Sequence, residues 1–434
     1  MIKKTILLSA IIAQLTISCS KDDSTAVATD NSLSAQITTI LQTPYSALTP
    51  DQQKVKLENE ANDFLLKMDK SKTSSAIEAI QNLENLISIS SVDIQMEKNG
   101  NGLQDLLNVS GVYGIYTWKA SQKIWIKTIS TTELKFIFPA KKSLSTNNAV
   151  LSSSSIASNV KVDVIDTDEK GSWQYNQNTE EYSYVITDPA IYDQLFLPSS
   201  VNATLLIDGT EAGTYTANAT YSGGKPEPTE AGFKFTLNDG YVWEINGKRT
   251  QPVSAKSSFT YNGSNLIDFN VGSTADIDKL IEGSELTQYL GKANGIITIM
   301  DNFVIVADIN IEGMTNDENA LETSLTYPNY YSSTYSADLN TYNKALSVGE
   351  VAAFNKNVKM ALVSKKDGTK IADVFERSEK GESYYNYQGN LIQNYDNVLY
   401  LRFKDNTEVA MDVSDGFSTL ETKFQDFIDA FNRP

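Results

Sequence analysis

Val201-Asn202-Ala203-Thr204-Leu205-Leu206-Ile207-Asp208-Gly209 places an apolar residue at every second position and ends on a turn dipeptide. Side chains of an extended chain point alternately to opposite faces, so a period of two marks a half-buried strand. The pattern recurs downstream: Phe233, Phe235 and Leu237 run into Asp239-Gly240, and Val253 and Ala255 lead to Phe259 and Tyr261 before Asn262-Gly263. Gly223-Gly224 and Asn246-Gly247 supply two more such dipeptides. These pairs adopt the positive φ that tight hairpins need. Strands joined by successive hairpins lie beside their sequence neighbours, which predicts an antiparallel meander between about 200 and 271.

Upstream, two segments share an aromatic spacing of two, two and seven residues: Gly114, Tyr116, Trp118, Trp125, and Gly171, Trp173, Tyr175, Tyr182. This is either an internal repeat or one solution to cross-strand aromatic pairing found twice. Between them, Glu133 to Ala140 reads as a strand and Lys141 to Asn159 as a Ser/Asn-rich loop. Earlier still the period becomes helical. Leu33, Ile37, Ile40 and Leu41 share a face. Thr49-Pro50-Asp51-Gln52 has the form of a helix start, with Thr49 as N-cap and Gln52 in the capping-box position. The helix it opens turns Leu57, Ala61, Phe64, Leu65 and Met68 inward, and another near 74–88 does so with Ile77, Ile80, Leu83 and Ile87. A small helical bundle on or near the body is the expectation.

Downstream, a helix is expected near 276–291, a strand pair around Asp301-Asn302, and a polar, partly helical Tyr-rich segment from Met314 to Val348. Hairpins then turn at Asp367-Gly368 and Asp405-Asn406. Phe417, Leu420, Phe424, Phe427, Ile428 and Phe431 share one face of a closing helix expected to cover the last sheet. The predicted fold is α+β: N-terminal helices, mostly antiparallel meander sheets, and a C-terminal amphipathic helix as cover. The divisions are 1–18, 19–32, 33–105 (helical), 106–312 (β-rich) and 313–434 (α+β with the Tyr-rich segment).

The first eighteen residues read as a targeting segment. Lys3 and Lys4 precede an apolar stretch from Ile6 to Ile17, too short for the about 20 residues that span a bilayer as a helix. Ser18-Cys19 resembles the lipobox of bacterial lipoproteins, and Cys19 is the only cysteine in the chain, so it has no disulfide partner. The resemblance implies acylation of Cys19 after cleavage, and two or three acyl chains anchor firmly where one holds marginally. The other reading is an ordinary secretory peptide with an incidental cysteine. Ser20-Lys21-Asp22-Asp23 resembles the acidic export signal of surface-exposed Bacteroidota lipoproteins, and Asp23-Ser24-Thr25 resembles the O-glycosylation acceptor of that group. A plain solvated tether would have similar composition. The plan of long antiparallel sheet covered by helices also resembles carriers of the LolA and LppX type, in pattern alone.

The formal net charge is −18, and removal of the leader with its two lysines makes the mature chain more acidic still. Such a charge repels phosphate backbones and anionic lipid surfaces, which sets nucleic acid aside as a partner. The chain has no histidine. That excludes Ser-His-Asp and Cys-His catalysis as usually built, and His-ligated metal centres. Asp163, Asp166 and Asp168 fail the calcium-loop order, because Lys170 and Gln177 fall where an oxygen ligand and an acid are needed. Ser158 and Lys161 have serine–lysine spacing but enter a strand instead of opening a helix. Carboxylate pairs are too numerous among 54 acidic residues for one to stand out. No catalytic residue, metal or cofactor is assigned.

Tyr327, Tyr330, Tyr331 and Tyr335 form the strongest candidate binding run, because tyrosine offers an apolar face and a hydroxyl at low entropic cost. Trp118, Trp125 and Trp173 serve likewise if exposed, or else pack as cross-strand pairs. The expected function is non-enzymatic: a lipoprotein anchored at the outer membrane through Cys19, on the cell surface, that binds a glycan, peptide or lipid or supports a surface assembly. The alternative is a hydrolase of polysaccharide using two carboxylates.

Overall fold

The computed structural model describes residues 30–71, 73–90, 107, 109–166, 170–176, 181–188, 191–274 and 291–411. The leader, Cys19 with Ser20 to Asp23, the helix expected near 276–291 and the closing helix from Phe417 to Phe431 lie outside them. The fold is α+β. The described residues fall into two compact units, one of 30–70 with 247–411 and one of 71–246. Sixteen strands, eight to each unit, form mostly antiparallel sheet.

In the 71–246 unit the strands are β1 (Gly114–Lys119), β2 (Ile124–Thr128), β3 (Leu134–Phe138), β4 (Ala149–Asp166), β7 (Ile191–Ile207), β8 (Thr210–Thr220), β9 (Glu230–Leu237) and β10 (Tyr241–Lys248). Between β4 and β7 the chain makes a separate two-stranded sheet, β5 (Lys170–Asn176) and β6 (Glu181–Asp188). From β7 to β10 the order is the expected meander, with Asp208 and Gly209 both at positive φ in the β7–β8 turn. The exception to antiparallel pairing is β1 beside β3, which run parallel while β2 takes the sheet edge.

Two expectations fail here. Lys141 to Asn159 is not all loop: from Ala149 onward it is β4, paired with β3 on one side and β7 on the other. Serine gives no apolar alternation to read, yet Ala149, Leu151 and Ser153 are the inward positions and serine is small enough to be buried there. Asn246-Gly247 is not a turn but part of β10, where the Asn246 amide donates to Glu244 Oε1 at 3.0 Å. The strand ends instead at Lys248, and the chain bends through 250–252 before β11.

The other unit carries β11 (Val253–Tyr261), β12 (Ser264–Ser273), β13 (Lys292–Ile299), β14 (Phe303–Asn310), β15 (Val358–Ser364), β16 (Thr369–Tyr385), β17 (Leu391–Arg402) and β18 (Glu408–Ala410), each beside its sequence neighbour. Its helices are α1 (Asp30–Leu41), α2 (Pro50–Ser71), α4 (Ile311–Ser324) and α5 (Tyr335–Asn357), and α3 (Ser75–Ile89) belongs to the first unit.

Alternation along β14 and β15 divides this core into two layers. Val304, Val306, Ala361 and Val363 pack against Leu33 and Ile37 of α1. Phe303 and Leu362 point the other way, into a layer with Val374, Leu401 and Leu57 of α2. Each fully buried valine, leucine, isoleucine or phenylalanine among them contributes roughly 1.5–3 kcal/mol. The first two helices therefore pack on opposite layers of this unit and not side by side as a bundle would have them. Here α1 lies on β12–β15, α2 joins the opposite layer, and α3 packs on β8. A sheet face offers each narrow apolar stripe a broader partner than another helix would.

The start of α2 forms as its sequence requires. Thr49 N–H donates to Gln52 Oε1 at 3.0 Å, and Gln52 N–H to Thr49 Oγ1 at 3.4 Å, a reciprocal capping box. Lys56 then bonds Ser364 Oγ at 3.0 Å and pairs with Asp367, which ties the helix to the β15–β16 turn.

Candidate functional site

The four candidate tyrosines lie at the α4–α5 connection, and the structure gathers more rings around them than the sequence run contains. The connection is built on a braced helix pair. Asn310 caps α4 by accepting from Gly313 N–H at 3.2 Å, and Asp317 accepts from Lys356 at 2.7 Å and from Asn357 at 2.6 Å at the far end of α5. Gly349 of α5 leaves room for Leu321 of α4, where any β-carbon would come within 2.3 Å of that side chain. These contacts hold α4 against α5 and so position the connection that carries the tyrosines.

The segment itself is held by short-range polar turns. Asn329 Oδ1 accepts from Tyr331 N–H at 3.0 Å, Ser332 Oγ accepts from Thr334 N–H at 3.2 Å, and Thr334 donates its hydroxyl to Asp338 at 2.7 Å. Side chains of Asn and Ser make such turns readily, which leaves the tyrosine rings and hydroxyls out of them. Tyr330 packs edge-on against Tyr335 at 5.1 Å and against Tyr331 at 5.6 Å, and Tyr327 packs against Tyr342 of α5 at 5.2 Å. The hydroxyls of Tyr327 and Tyr335 meet at 3.5 Å. Tyr331 is 92% exposed, and Tyr327 and Tyr330 are also open to solvent.

A second group joins from fifty residues away. The β16–β17 tip docks on the start of α5: Asn386 donates to Ser336 Oγ at 2.9 Å, Asn340 donates to Leu391 O at 3.0 Å, and Gln393 N–H donates to Asn340 Oδ1 at 2.7 Å. The tip is closed by Asn386 Oδ1, which accepts from the N–H groups of Gln388 and Asn390, with Gly389 at positive φ. This brings Tyr384 close enough to act electrostatically on Tyr335, and Tyr385 and Tyr387 on the same tip are exposed. Sequence reading missed these three. The signal was present, since Tyr384-Tyr385-Asn386-Tyr387-Gln388-Gly389 is a second polar Tyr-rich run. Only the register of β16 with β17 shows that it meets the first.

The hydroxyl of Tyr335 is pushed up to about 12, first by its hydrogen bond with Tyr327 and then by burial and the neighbouring phenols. Tyr335 thus keeps its O–H donor throughout the physiological range. The cluster supplies stacking faces and phenol hydroxyls for hydrogen bonds.

No family model, no curated protein and no solved structure matches this chain.

The other candidates separate by burial. Trp118 and Trp125 face each other across β1–β2 with centroids 5.2 Å apart, and Trp125 also meets Phe136 at 5.4 Å, so both belong to sheet packing. Trp173 pairs with Tyr184 across β5–β6 yet stays exposed. Ser158 lies within β4 and accepts from Val160 N–H, while Lys161 lies over the Phe196 ring at 5.0 Å, so the two do not form a dyad. Asp163 and Asp166 are strand residues of β4, and Asp168 lies outside the described residues. Among the described residues no group of three or more acidic or cysteine side chains is gathered as for a metal ion. Of the acids, Glu318 on α4 has its carboxyl raised by burial, then by the charges of Glu350 and Glu322.

Proposed function

We propose that this chain is a non-enzymatic lipoprotein, held at the outer membrane by acyl chains on Cys19, that binds an uncharged glycan through the tyrosine cluster at the α4–α5 connection. The observation that carries this reading is the convergence of Tyr327, Tyr330, Tyr331 and Tyr335 with Tyr384 on one braced framework, with every ring but that of Tyr335 exposed. Apolar ring faces with a few hydroxyls suit the alternating C–H and O–H surfaces of sugars. The net charge of −18 disfavours anionic ligands. The acyl-carrier version has less support, because the sheet layer under α1 is filled by Leu33, Ile37, Val304 and Val306. A carboxylate hydrolase has three acids raised by burial to draw on, Glu84, Asp268 and Glu318, and the Glu350 beside Glu318 already accepts from Asn397 at 2.9 Å.

Binding of the full chain to a glycan array, read beside a reducing-sugar release assay, tests the reading. Retention of neutral glycans without release is expected. Release that stops in Glu318→Gln would establish the hydrolase instead. A Cys19→Ala chain is expected to leave the membrane fraction, and its persistence there would remove the anchor from the account.

A further inference from the structure

The β5–β6 hairpin carries an aromatic face that its own sheet does not use. Lys170 to Asn176 pairs with Glu181 to Asp188 so that Trp173 stands opposite Tyr184 and Tyr175 opposite Tyr182. All four rings share one face by alternation, and Gln174 and Ser183 occupy the other. The cross-strand centroids are 5.5 Å apart for Trp173 and Tyr184 and 5.0 Å apart for Tyr175 and Tyr182, and a two-residue step along a strand is about 6.8 Å. The result is a two-by-two array of rings. Within the two pairs the ring planes meet at 60° and 52°, so each pair forms a trough instead of a flat plate.

Exposed hydrophobic rings in isolation are ordinary, but four on one face of an isolated hairpin are not. Trp173 and Tyr182 are each 67% exposed, and Tyr175 and Tyr184 about half. With roughly 150–250 Å² for each aromatic side chain, the open area is on the order of 300–600 Å². That is less than the roughly 800 Å² each partner contributes to a standard protein interface, which argues against a second copy as the occupant. The four ring positions carry no charge of their own, and the acidic chain repels anionic lipid. What remains is a neutral ligand with C–H-rich faces and hydroxyl rims.

We infer that the aromatic face of the β5–β6 hairpin is a second ligand site, which seats sugar rings of an uncharged polysaccharide in the troughs between Trp173 and Tyr184 and between Tyr175 and Tyr182. The site stands on its own geometry whether or not the tyrosine cluster binds, and shares with that cluster only the class of ligand. No bond is made or broken there. The rings stack on axial C–H groups, and the three phenol hydroxyls bond the rim of the sugar.

Affinity electrophoresis of the full chain through native gels containing dextran, laminarin, xyloglucan or galactomannan tests this site. Retardation in at least one gel is expected. In that gel W173A/Y184A should migrate with at least tenfold weaker binding, while W173F/Y184F, which keeps two rings, stays within about threefold of the parent. Both should melt within a few degrees of the parent, since neither ring is buried. The same polysaccharide should shield the parent chain from acrylamide quenching of tryptophan fluorescence, which needs no variant. Unchanged retardation of W173A/Y184A in every gel overturns the hairpin site, and so does a parent chain that no gel retards. If Y330A/Y331A alone abolishes retardation, the hairpin site falls and the tyrosine cluster stands; if W173A/Y184A alone does so, the hairpin stands and the cluster falls. A concentration-dependent dimer in sedimentation velocity that W173A/Y184A dissolves, without retardation in any gel, assigns the face to a second copy and overturns the proposal.

Discussion

Hairpins β1–β2 and β5–β6 have the same aromatic spacing and opposite surroundings. In both, residues seven apart meet across the strands: Trp118 with Trp125, and Tyr175 with Tyr182. The first pair lies on the main sheet, where Tyr116 stacks on Phe136 at 5.2 Å and Trp118 is only 6% exposed. The second stands on a two-stranded sheet of its own with Trp173 67% exposed. Sequence spacing therefore determined which rings meet, and the neighbouring strand determined whether meeting buried them. β1 gains β3 as a parallel neighbour, and β5 has only β6. The same pairing serves stability in one place and leaves a surface in the other.

Substitutions should separate the two roles, with the largest effects in the buried hairpin. Phe136→Ala removes a ring with no exposure that touches both Tyr116 and Trp125, and should cost about 3–5 kcal/mol in urea unfolding. Trp118→Ala should cost a similar amount, whereas Trp173→Ala should cost at most about 1 kcal/mol, the value of a cross-strand pair. Equal losses at Trp118 and Trp173 would erase the distinction.

Titration should sharpen it further. Tyr335 is held up to about 12 by its hydrogen bond with Tyr327, Tyr400 to about 12 by its bond with Glu379, and Tyr45 to about 12 by burial and then Asp373. A phenol raised in the fold contributes stability that is whole below the ordinary value near 10 and is lost as pH climbs through the raised one. Phenolate absorbance should therefore show a fraction that ionises late in the native chain and with the rest after unfolding. The share of glycan binding that rests on the Tyr335 hydroxyl should stay level between about pH 6 and pH 9 for the same reason. The smallest effect is expected at Tyr116, whose buried hydroxyl has no hydrogen-bond partner among the described residues. Tyr116→Phe should be neutral or stabilise by up to about 1 kcal/mol, as removal of an unpaired buried polar group does.

Much of the fold was legible because apolar periodicity carried it. The meander from β7, the capping box at Thr49 and Gln52, and the strand pair about Asp301 all follow from local pattern. Serine-rich β4 was not legible, because its inward positions are small and polar and its identity as a strand comes from β3 and β7 on either side. The placement of α1 and α2 on opposite layers was equally hidden, since an amphipathic stripe does not say which surface it meets. At the candidate site, Tyr327, Tyr330, Tyr331 and Tyr335 were visible as a run. Their meeting with Tyr384 depends on a hairpin whose long register no local signal encodes.

Equilibrium binding of the full chain and of its Tyr330→Ala/Tyr331→Ala form to the neutral glycan that the array retains most strongly, with melting temperatures measured in parallel, puts the tyrosine cluster to the test. A loss of at least tenfold in affinity at an unchanged melting temperature is the expected result. Undiminished affinity in the substituted chain would contradict the assignment of binding to that cluster.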